Sequence, residues 1–213
     1  FVSIGDLEVG DYREPRFISE IGVNHLGNFD RMKNMIKLSI EAGADFLKFQ
    51  TYKAETRYDK ITNPKAEEFI KLLKSWELTE EENIESWDYA KSLGGKVFTS
   101  VYDEGEIKFA MDMGTIAFKI AAFEIVNLKL IEAVAETNIP IIASVGMASK
   151  KEIEKFINIV ENKKSKYILL HCISSYPLEK KYSFLENIHE LRKLYNCPIG
   201  HSDHTYGVEI PPL

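Results

Sequence analysis

Strand-like and helix-like segments alternate along most of this chain at a nearly constant spacing. Of seven short apolar segments, the first six are each followed, directly or after a longer connection, by a segment with helical periodicity, which often starts at an Asn, Thr or Ser cap and ends at Gly. Alternating strands and helices join into βα units with right-handed crossovers, so the pattern predicts a parallel sheet covered by helices. The predicted strands are residues 17–23, 46–51, 97–101, 117–121, 140–144, 167–172 and 198–201.

The predicted strands are apolar on both faces, as residues 141–143 and 167–170 illustrate, which is typical of buried parallel strands. No glycine-rich GxGxxG turn follows the first strand, and this disfavours a dinucleotide-binding fold. The sequence therefore predicts an α/β protein of the (β/α)8 TIM-barrel type, for which about eight strands and about 250 residues are typical. Only about seven βα units are recognisable in these 213 residues, so we expect an incomplete barrel with the eighth strand missing.

Two segments depart from this rhythm. Residues 1–16 are polar and turn-rich, and they are predicted to form a lead-in, a hairpin over the bottom of the barrel domain of residues 17–213. Residues 52–75 are charged and irregular, and we expect a connection of this length to cover another part of the protein. The predicted helix starts include Asn28, Asn127 and the capping boxes Thr79/Glu82, Ser149/Glu152 and Ser183/Glu186.

Composition limits the class of function. Hydrophobic residues make up 45% and charged residues 28% of the chain, enough for a sizeable core. The net charge of −6 argues against a nucleic-acid scaffold. No apolar run is long enough to span a membrane and no signal peptide is visible, so we expect a cytoplasmic protein. Cys172 and Cys197 are predicted to be free thiols in a reducing compartment.

Polar side chains lie in or just after successive strands, where a parallel barrel carries its active face. Glu20 lies within the first predicted strand, and burial of a carboxylate is unfavourable unless it is paired or used. Lys48 and Lys119 have apolar neighbours, so each either snorkels at a strand end or points into the barrel mouth. Two such lysines favour a phosphate or carboxylate ligand, to which nearby serines would add donors. A Schiff-base aldolase with a nucleophilic lysine is the alternative.

The histidines suggest a second kind of site. Residues 200–205 (GHSDHT) place two histidines and an acid at a strand end, as in a metal ligand with its orienting partner. A polar loop with surface histidines would give the same pattern. His171 is predicted to be a packed, hydrogen-bonded core residue, and His189 to lie on the surface.

Taken together, these motifs resemble the sialic acid synthase family, which includes N-acetylneuraminate, legionaminate and pseudaminate synthases and spore-coat polysaccharide relatives. The resemblance runs from about Phe17 to the last residue. The segments that carry it are residues 19–25 (SEIGVNH), 41–45 (EAGAD), 48–51 (KFQT), 118–120 (FKI), 144–147 (SVGM), 170–177 (LHCISSYP) and 200–205.

The resemblance implies a (β/α)8 barrel that carries a C-terminal antifreeze-like domain, absent from these residues, and forms a domain-swapped homodimer. It implies a transferase that condenses phosphoenolpyruvate with an open-chain N-acetylated amino sugar of the N-acetylmannosamine type. The product would be a nonulosonic (sialic-type) acid, with release of phosphate and a requirement for Mn²⁺ or Mg²⁺.

The resemblance also suggests roles for individual residues. Glu20, Lys48 and Lys119 would belong to the catalytic site, with Glu20 either moving a proton or stabilising a cationic C2 of phosphoenolpyruvate. His204 would be one of two metal-binding histidines. The residues expected to bind substrate are Gln50, Glu124, Ser144, Ser174, Tyr176 and Ser202.

Some positions depart from the family pattern. Ala122 stands where many members have a phosphate-binding serine, Ser174 where some have asparagine, and Val101 where some have threonine. The second metal histidine and a sugar-binding arginine of the partner chain do not occur here, so we expect these residues alone not to form a competent enzyme. Two alternatives stay open: another metal-dependent phosphoenolpyruvate–aldehyde synthase, which the lack of arginine at any strand end disfavours, and a catalytically inactive sugar-binding barrel. The sugar itself stays undetermined.

Overall fold

The computed structural model describes residues 1–58, 60–61 and 63–211. Asp59 and Thr62, from the segment predicted to be irregular, and Pro212 and Leu213, from the end of the predicted barrel domain, lie outside the described residues. The chain forms two compact units: one is Pro15–Ile116, and the other joins Phe1–Glu14 to the residues from Ala117 onward. We call them the first and the second unit.

The seven predicted strands are all present, and each observed end lies within one residue of its predicted position. The strands are β1 Val2–Ile4, β2 Leu7–Val9, β3 Ile18–Gly22, β4 Phe46–Gln50, β5 Val97–Ser100, β6 Phe118–Ile120, β7 Ile141–Ser144, β8 Tyr167–His171 and β9 Ile199–His201. The helices are α1 Phe29–Glu41, α2 Ala66–Trp76, α3 Glu80–Ser92, α4 Glu104–Asp112, α5 Leu128–Glu136, α6 Lys150–Asn162 and α7 Glu186–Leu194. Short 3-10 helices span Ala54–Thr56, Ala122–Val126 and Lys180–Tyr182.

In the first unit, β3, β4 and β5 are parallel neighbours in that order. The register places Glu20 beside Lys48 and Gln50 beside Ser100. The core beneath these strands includes the fully buried Trp87 of α3, whose ring makes an edge contact with Phe49 at 5.7 Å between centroids. Packing of α1 and α3 against β4 therefore holds the strand that carries Lys48.

In the second unit, β6, β7, β8 and β9 are parallel neighbours in that order, and β1 and β2 form an antiparallel hairpin. The hairpin predicted within residues 1–16 is therefore confirmed. The buried Phe156 of α6 makes an edge contact with Tyr167 of β8, with 5.9 Å between the ring centroids. Parallel strands alternating with helices in both units confirm the predicted α/β class, whereas the missing eighth strand stays a prediction.

Most of the predicted helix starts are confirmed. Asn28 caps α1 by accepting a hydrogen bond from the Arg31 N–H at 2.8 Å, and complete capping boxes begin α3 and α6. The box predicted at Ser183 is wrong, because α7 begins after Leu185 without a side-chain cap among the described residues. Ser183 is buried instead, and its carbonyl oxygen lies 2.8 Å from His171 Nε2.

The irregular connection predicted for residues 52–75 is corrected by the structure, which shows helix α2 there. Ala66, Ile70 and Leu73 recur at helical spacing and pack on Tyr52 and Ala54. This short apolar stripe is interspersed with lysines and glutamates, so the sequence looks like a charged loop. Among the helices that the structure describes, none is long and apolar enough to cross a membrane.

Candidate active site

Lys48 is the centre of a polar cluster in the first unit. Its side chain is buried, and Nζ donates a hydrogen bond to Ser100 Oγ at 2.8 Å and lies 2.8 Å from Glu20 Oε2. The other carboxylate oxygen of Glu20 accepts a hydrogen bond from Gln50 Nε2 at 3.2 Å. Three neighbouring parallel strands therefore bring four polar side chains together at their carboxyl ends, where α/β proteins bind ligands.

The Glu20 side chain is more exposed than predicted, because we expected a carboxylate within a buried strand. Its side chain is 46% exposed, and the start of β3 is open to solvent at Ile18. Gly22 has φ +50°, and a Cβ at this position would collide with Oε1 of Glu20. Glycine therefore leaves the space in which the Glu20 carboxylate turns towards Lys48 and Gln50.

Ser100 is a site residue that sequence reasoning missed. The sequence pattern drew attention to Val101, which stands where some relatives have threonine, and Val101 is fully buried and apolar. The hydroxyl at the end of β5 belongs to Ser100, one residue earlier, which contacts Lys48. A serine in the last position of an otherwise apolar strand was the available signal.

Tyr102 and Glu106 follow β5 and were also missed. Burial is the main cause that raises the pKa of the Tyr102 hydroxyl, whereas the Arg57 charge and the Ser100 side chain lower it. The Glu106 carboxylate accepts a hydrogen bond from the Tyr102 backbone N–H through Oε2, while Oε1 has no partner among the described residues. Burial, with a smaller contribution from Asp103, raises the pKa of Glu106 to about 8.

The raised pKa of Glu106 predicts how stability depends on pH. Between the ordinary value of 4.5 and about 8, the folded protein holds a proton on Glu106 that the unfolded chain releases. We expect this residue's contribution to the free energy of unfolding to be largest below pH 4.5. It should fall by about 1.4 kcal/mol per pH unit as the pH rises towards 8. Denaturant titrations from pH 5 to 9 would measure the slope.

Glu106→Gln should remove this slope, because the amide keeps an oxygen for the Tyr102 N–H and does not titrate. Glu104→Gln is the control, since Glu104 is an exposed carboxylate on the same helix. An unchanged slope in Glu106→Gln would mean that Glu106 is already ionised in the folded protein.

Lys119 occupies an equivalent position in the second unit. Its side chain is buried, and Nζ donates hydrogen bonds to Ser144 Oγ at 2.7 Å and to the Ile120 carbonyl oxygen at 2.8 Å. The lysine is on β6 and the serine ends β7, just as Lys48 on β4 meets Ser100 at the end of β5. The fold therefore contains the same lysine–serine pair twice, each between adjacent parallel strands.

Glu124 and Ala122 lie in the 3-10 helix after β6. Glu124 Oε2 accepts a hydrogen bond from Asn127 Nδ2 at 2.8 Å, and Asn127 caps α5. The structure therefore shows Glu124 supporting a helix start, and its binding of substrate stays a prediction. Ala122 is buried and offers no hydroxyl at the position where the family pattern has serine.

His204 is oriented as a metal ligand would be. Its Nδ1 lies 2.7 Å from the Ile173 carbonyl oxygen, and since a carbonyl only accepts, Nδ1 is the donor. The lone pair of a neutral imidazole is then on Nε2, which lies 3.4 Å from Ser202 Oγ. The ring of Tyr176 lies over His204 with 4.1 Å between centroids. The predicted residues Tyr176, Ser202 and His204 are therefore brought together.

The orienting partner of His204 is not the acid that the sequence suggested. Both carboxylate oxygens of Asp203 accept hydrogen bonds from Thr205, at 3.2 and 2.9 Å. His171 is a buried core histidine, as predicted, and stacks on His201 with 5.5 Å between centroids. His189 is exposed, also as predicted.

One side chain, His204, has the geometry of a ligand for the expected divalent metal. Within residues 1–58, 60–61 and 63–211, no group of three or more His, Cys, Asp and Glu side chains is arranged to hold a metal ion. The backbone contact at Nδ1 fits His204 as one ligand, and the other ligands would be water, substrate or further protein groups. Mg²⁺ and Mn²⁺ commonly keep several non-protein oxygen ligands, so one histidine is compatible with such a site.

The Ser174 hydroxyl is a candidate ligand-binding group. Its hydroxyl oxygen is buried and has no hydrogen-bond partner among the described residues. An unsatisfied buried hydroxyl is unfavourable unless a ligand or water completes it. Cys172 is a buried free thiol, as predicted, and Cys197 is a free thiol whose pKa burial raises to about 12.

These features define an α/β protein whose parallel strands end in lysine–serine pairs and in a loop with an oriented histidine. The chain belongs to the NeuB family, whose model matches residues 35–213. The resemblance to sialic acid synthases is thereby confirmed.

Individual relatives agree with this assignment. An N,N'-diacetyllegionaminic acid synthase of Legionella pneumophila is 34% identical over 210 residues, covering 92% of this chain and 59% of the relative. An uncharacterized protein of Methanocaldococcus jannaschii is 38% identical over 211 residues, covering 99% of this chain and 61% of the relative. The chain thus spans about three fifths of the length of these relatives.

The structural comparison covers nearly the whole chain. The N-acetylneuraminic acid (sialic acid) synthetase of Leptospira borgpetersenii, solved in complex with citrate, matches with a TM-score of 0.92 and 34% identity. The match covers 99% of this chain and 72% of that one. The strands and helices of this chain are therefore arranged like the matched part of that synthetase.

Proposed function

We propose that the protein condenses phosphoenolpyruvate with the open-chain form of an N-acetylated amino sugar, of the N-acetylmannosamine type, to give a nonulosonic acid and phosphate. The observation that carries this proposal is the pair of buried lysine–serine contacts, Lys119 with Ser144 and Lys48 with Ser100. A lysine ammonium beside a hydroxyl donor suits a phosphate or carboxylate.

The chemistry begins with formation of a carbon–carbon bond. C3 of phosphoenolpyruvate attacks the aldehyde carbon, whose oxygen gains a proton and becomes a hydroxyl. Water adds to C2, and phosphate leaves from the tetrahedral intermediate to give the 2-keto acid. Lys48 and Lys119 bind the anionic groups and offset the negative charge as it moves to the leaving phosphate.

Glu20 takes the proton of the attacking water in this scheme. Its carboxylate is held by Lys48 and Gln50 but remains 46% exposed, so it can exchange protons with solvent. This exposure favours the proton-transfer role over stabilisation of a cationic C2. A divalent metal, Mn²⁺ or Mg²⁺, would supply Lewis-acid polarisation of the aldehyde oxygen when bound, and His204 would be one of its ligands.

The remaining predicted residues contact the two substrates. Ser174, with its unsatisfied hydroxyl, and Ser202 bind oxygens of phosphoenolpyruvate. Gln50 and the exposed Tyr176 bind the sugar, and Glu124 keeps one carboxylate oxygen for a sugar hydroxyl while the other accepts from Asn127.

Two structural findings bear on the alternative functions, the inactive sugar-binding barrel and the other phosphoenolpyruvate–aldehyde synthase, so the experiment must distinguish them. Ala122 removes a hydroxyl that the family pattern provides, as an inactive sugar-binding barrel would allow. The structure also places Arg57 on the ring of Tyr102, just past β5, so an arginine does reach a strand end. This second finding supports an aldehyde substrate that carries its own phosphate.

The test is phosphate release by the purified full-length gene product with Mn²⁺, phosphoenolpyruvate and one aldehyde at a time. We expect turnover with an N-acetylmannosamine-type sugar, none without an aldehyde, and little with a sugar phosphate such as arabinose 5-phosphate. Preference for the sugar phosphate would identify the other synthase class. Binding of an N-acetylated sugar without phosphate release from any mixture would identify the inactive barrel.

A further inference from the structure

We propose that Thr99 is a positioning residue, whose hydroxyl links the ends of β4 and β5 and so fixes Ser100, the acceptor that orients the Lys48 ammonium for phosphoenolpyruvate. This inference rests on the proposed function, because it assigns the Lys48 cluster to that ligand. It adds a residue of β5 that none of the sequence motifs had indicated.

Thr99 lies on the face of the sheet opposite the Lys48 cluster. In the register it is paired with Phe49, which packs in the core with Trp87 of α3, and Thr99 is itself fully buried. Successive side chains of a strand alternate between faces, so Ser100 lies on the other face, where it contacts Lys48. Any effect of Thr99 on a ligand of the cluster therefore passes through the backbone of the strands.

The Thr99 hydroxyl takes the place of one hydrogen bond between β4 and β5. Leu47 N–H donates to the Lys96 carbonyl at 2.9 Å. In a parallel pair such bonds recur every second residue, so the bond from Thr51 N–H would reach the Ser100 carbonyl. Instead, Thr51 N–H donates to Thr99 Oγ1 at 3.0 Å, and Thr99 Oγ1 donates to the Ser100 carbonyl oxygen at 3.0 Å. We call this link the hydroxyl bridge.

The surroundings of Thr99 favour a role for its hydroxyl. The neighbouring core contains Phe49, Trp87 and Val97, and a hydroxyl buried among apolar side chains is unfavourable unless it is hydrogen-bonded. The described hydrogen bonds of Thr99 Oγ1 all go to the two strand ends, including the Thr51 hydroxyl at 3.2 Å, a second acceptor for the same proton. Valine has a similar shape and would fill this space without any such requirement.

The hydroxyl bridge fixes the two side chains that flank Lys48. Ser100 Oγ accepts a hydrogen bond from Lys48 Nζ at 2.8 Å, and the Ser100 carbonyl is an end of the bridge. Gln50, which holds the Glu20 carboxylate, directly precedes the Thr51 N–H at the other end. Without the bridge, the two strand ends lose their common partner and can shift. A ligand must then order the ammonium group on binding, which lowers its affinity.

The test is calorimetric binding of phosphoenolpyruvate to the full-length gene product carrying Thr99→Val. We expect the dissociation constant to rise about three- to tenfold, the range for one hydrogen bond. Thr99→Ser keeps the hydroxyl and should bind like wild type. If valine prevents folding, Thr99→Ala removes the hydroxyl without placing a methyl group against the Thr51 N–H, and the same loss is expected.

The matched control is Thr51→Val. It removes a neighbouring buried hydroxyl but leaves the Thr51 N–H and the Thr99 hydroxyl to form the bridge. We expect unchanged binding of phosphoenolpyruvate in this control. Equal losses in Thr51→Val and Thr99→Val, or a Thr99→Ser protein as weak as Thr99→Val, would overturn the inference.

A double-mutant cycle with Ser100→Ala separates positioning from a general structural effect. If Thr99 acts through Ser100, Thr99→Val should cause no further loss of affinity in the Ser100→Ala protein. An equal loss with and without the Ser100 hydroxyl, or wild-type affinity in Thr99→Val, would overturn the inference, while binding by the wild type upholds the proposed function. A wild-type protein that does not bind phosphoenolpyruvate would overturn both.

Discussion

Replacing Lys119 by alanine is expected to abolish binding of phosphoenolpyruvate, with a loss of at least about 100-fold in affinity. The ammonium group is buried and held in place by Ser144 and the Ile120 carbonyl, so it is already oriented before an anion arrives. Alanine removes the charge and leaves Ser144 without this donor. Calorimetric titration with phosphoenolpyruvate in the absence of sugar measures the effect directly.

The matched control is Lys151→Ala, which removes an exposed lysine from α6 in the same unit. It changes the net charge equally, so any general electrostatic attraction falls by the same amount in both variants. Unchanged affinity in Lys119→Ala, or equal losses in the two variants, would refute the assignment of Lys119 to the anion.

Replacing His204 by alanine is expected to weaken Mn²⁺ binding by more than about 100-fold, since even loss of a residue that merely orients a ligand costs about 10- to 100-fold. The expectation follows from the hydrogen bond that Nδ1 donates to the Ile173 carbonyl, which leaves the lone pair of a neutral imidazole on Nε2. Electron paramagnetic resonance of free Mn²⁺ during a titration gives the affinity without any need for turnover.

His189→Ala serves as the control, because His189 is exposed on α7 of the same unit. Loss of Tyr176 stacking alone could also disturb the loop, so Tyr176→Phe, which keeps the ring on His204, should bind Mn²⁺ normally. Equal Mn²⁺ affinity in wild type and His204→Ala would exclude His204 as a ligand.

Helix caps show where local sequence is sufficient and where it is not. Asn28, Thr79 and Ser149 act within a few residues of themselves, so the sequence predicts their hydrogen bonds correctly. Ser183 has the same local pattern, but its carbonyl meets His171, and α7 begins without it. Ser183 instead takes part in a tertiary contact with β8, which the local sequence does not reveal.

The sequence alone determined the order of the parallel strands and of the helices other than α2, the family, and most of the polar side chains at strand ends, because periodicity and short motifs are local properties. Tertiary structure alone decided that Lys48 meets Ser100, that Glu20 stays half exposed, and that Arg57 covers Tyr102. Lys48 and Ser100 are 52 residues apart in the chain. Their contact depends on which strands pair and in which register, and the packing of the whole unit fixes both.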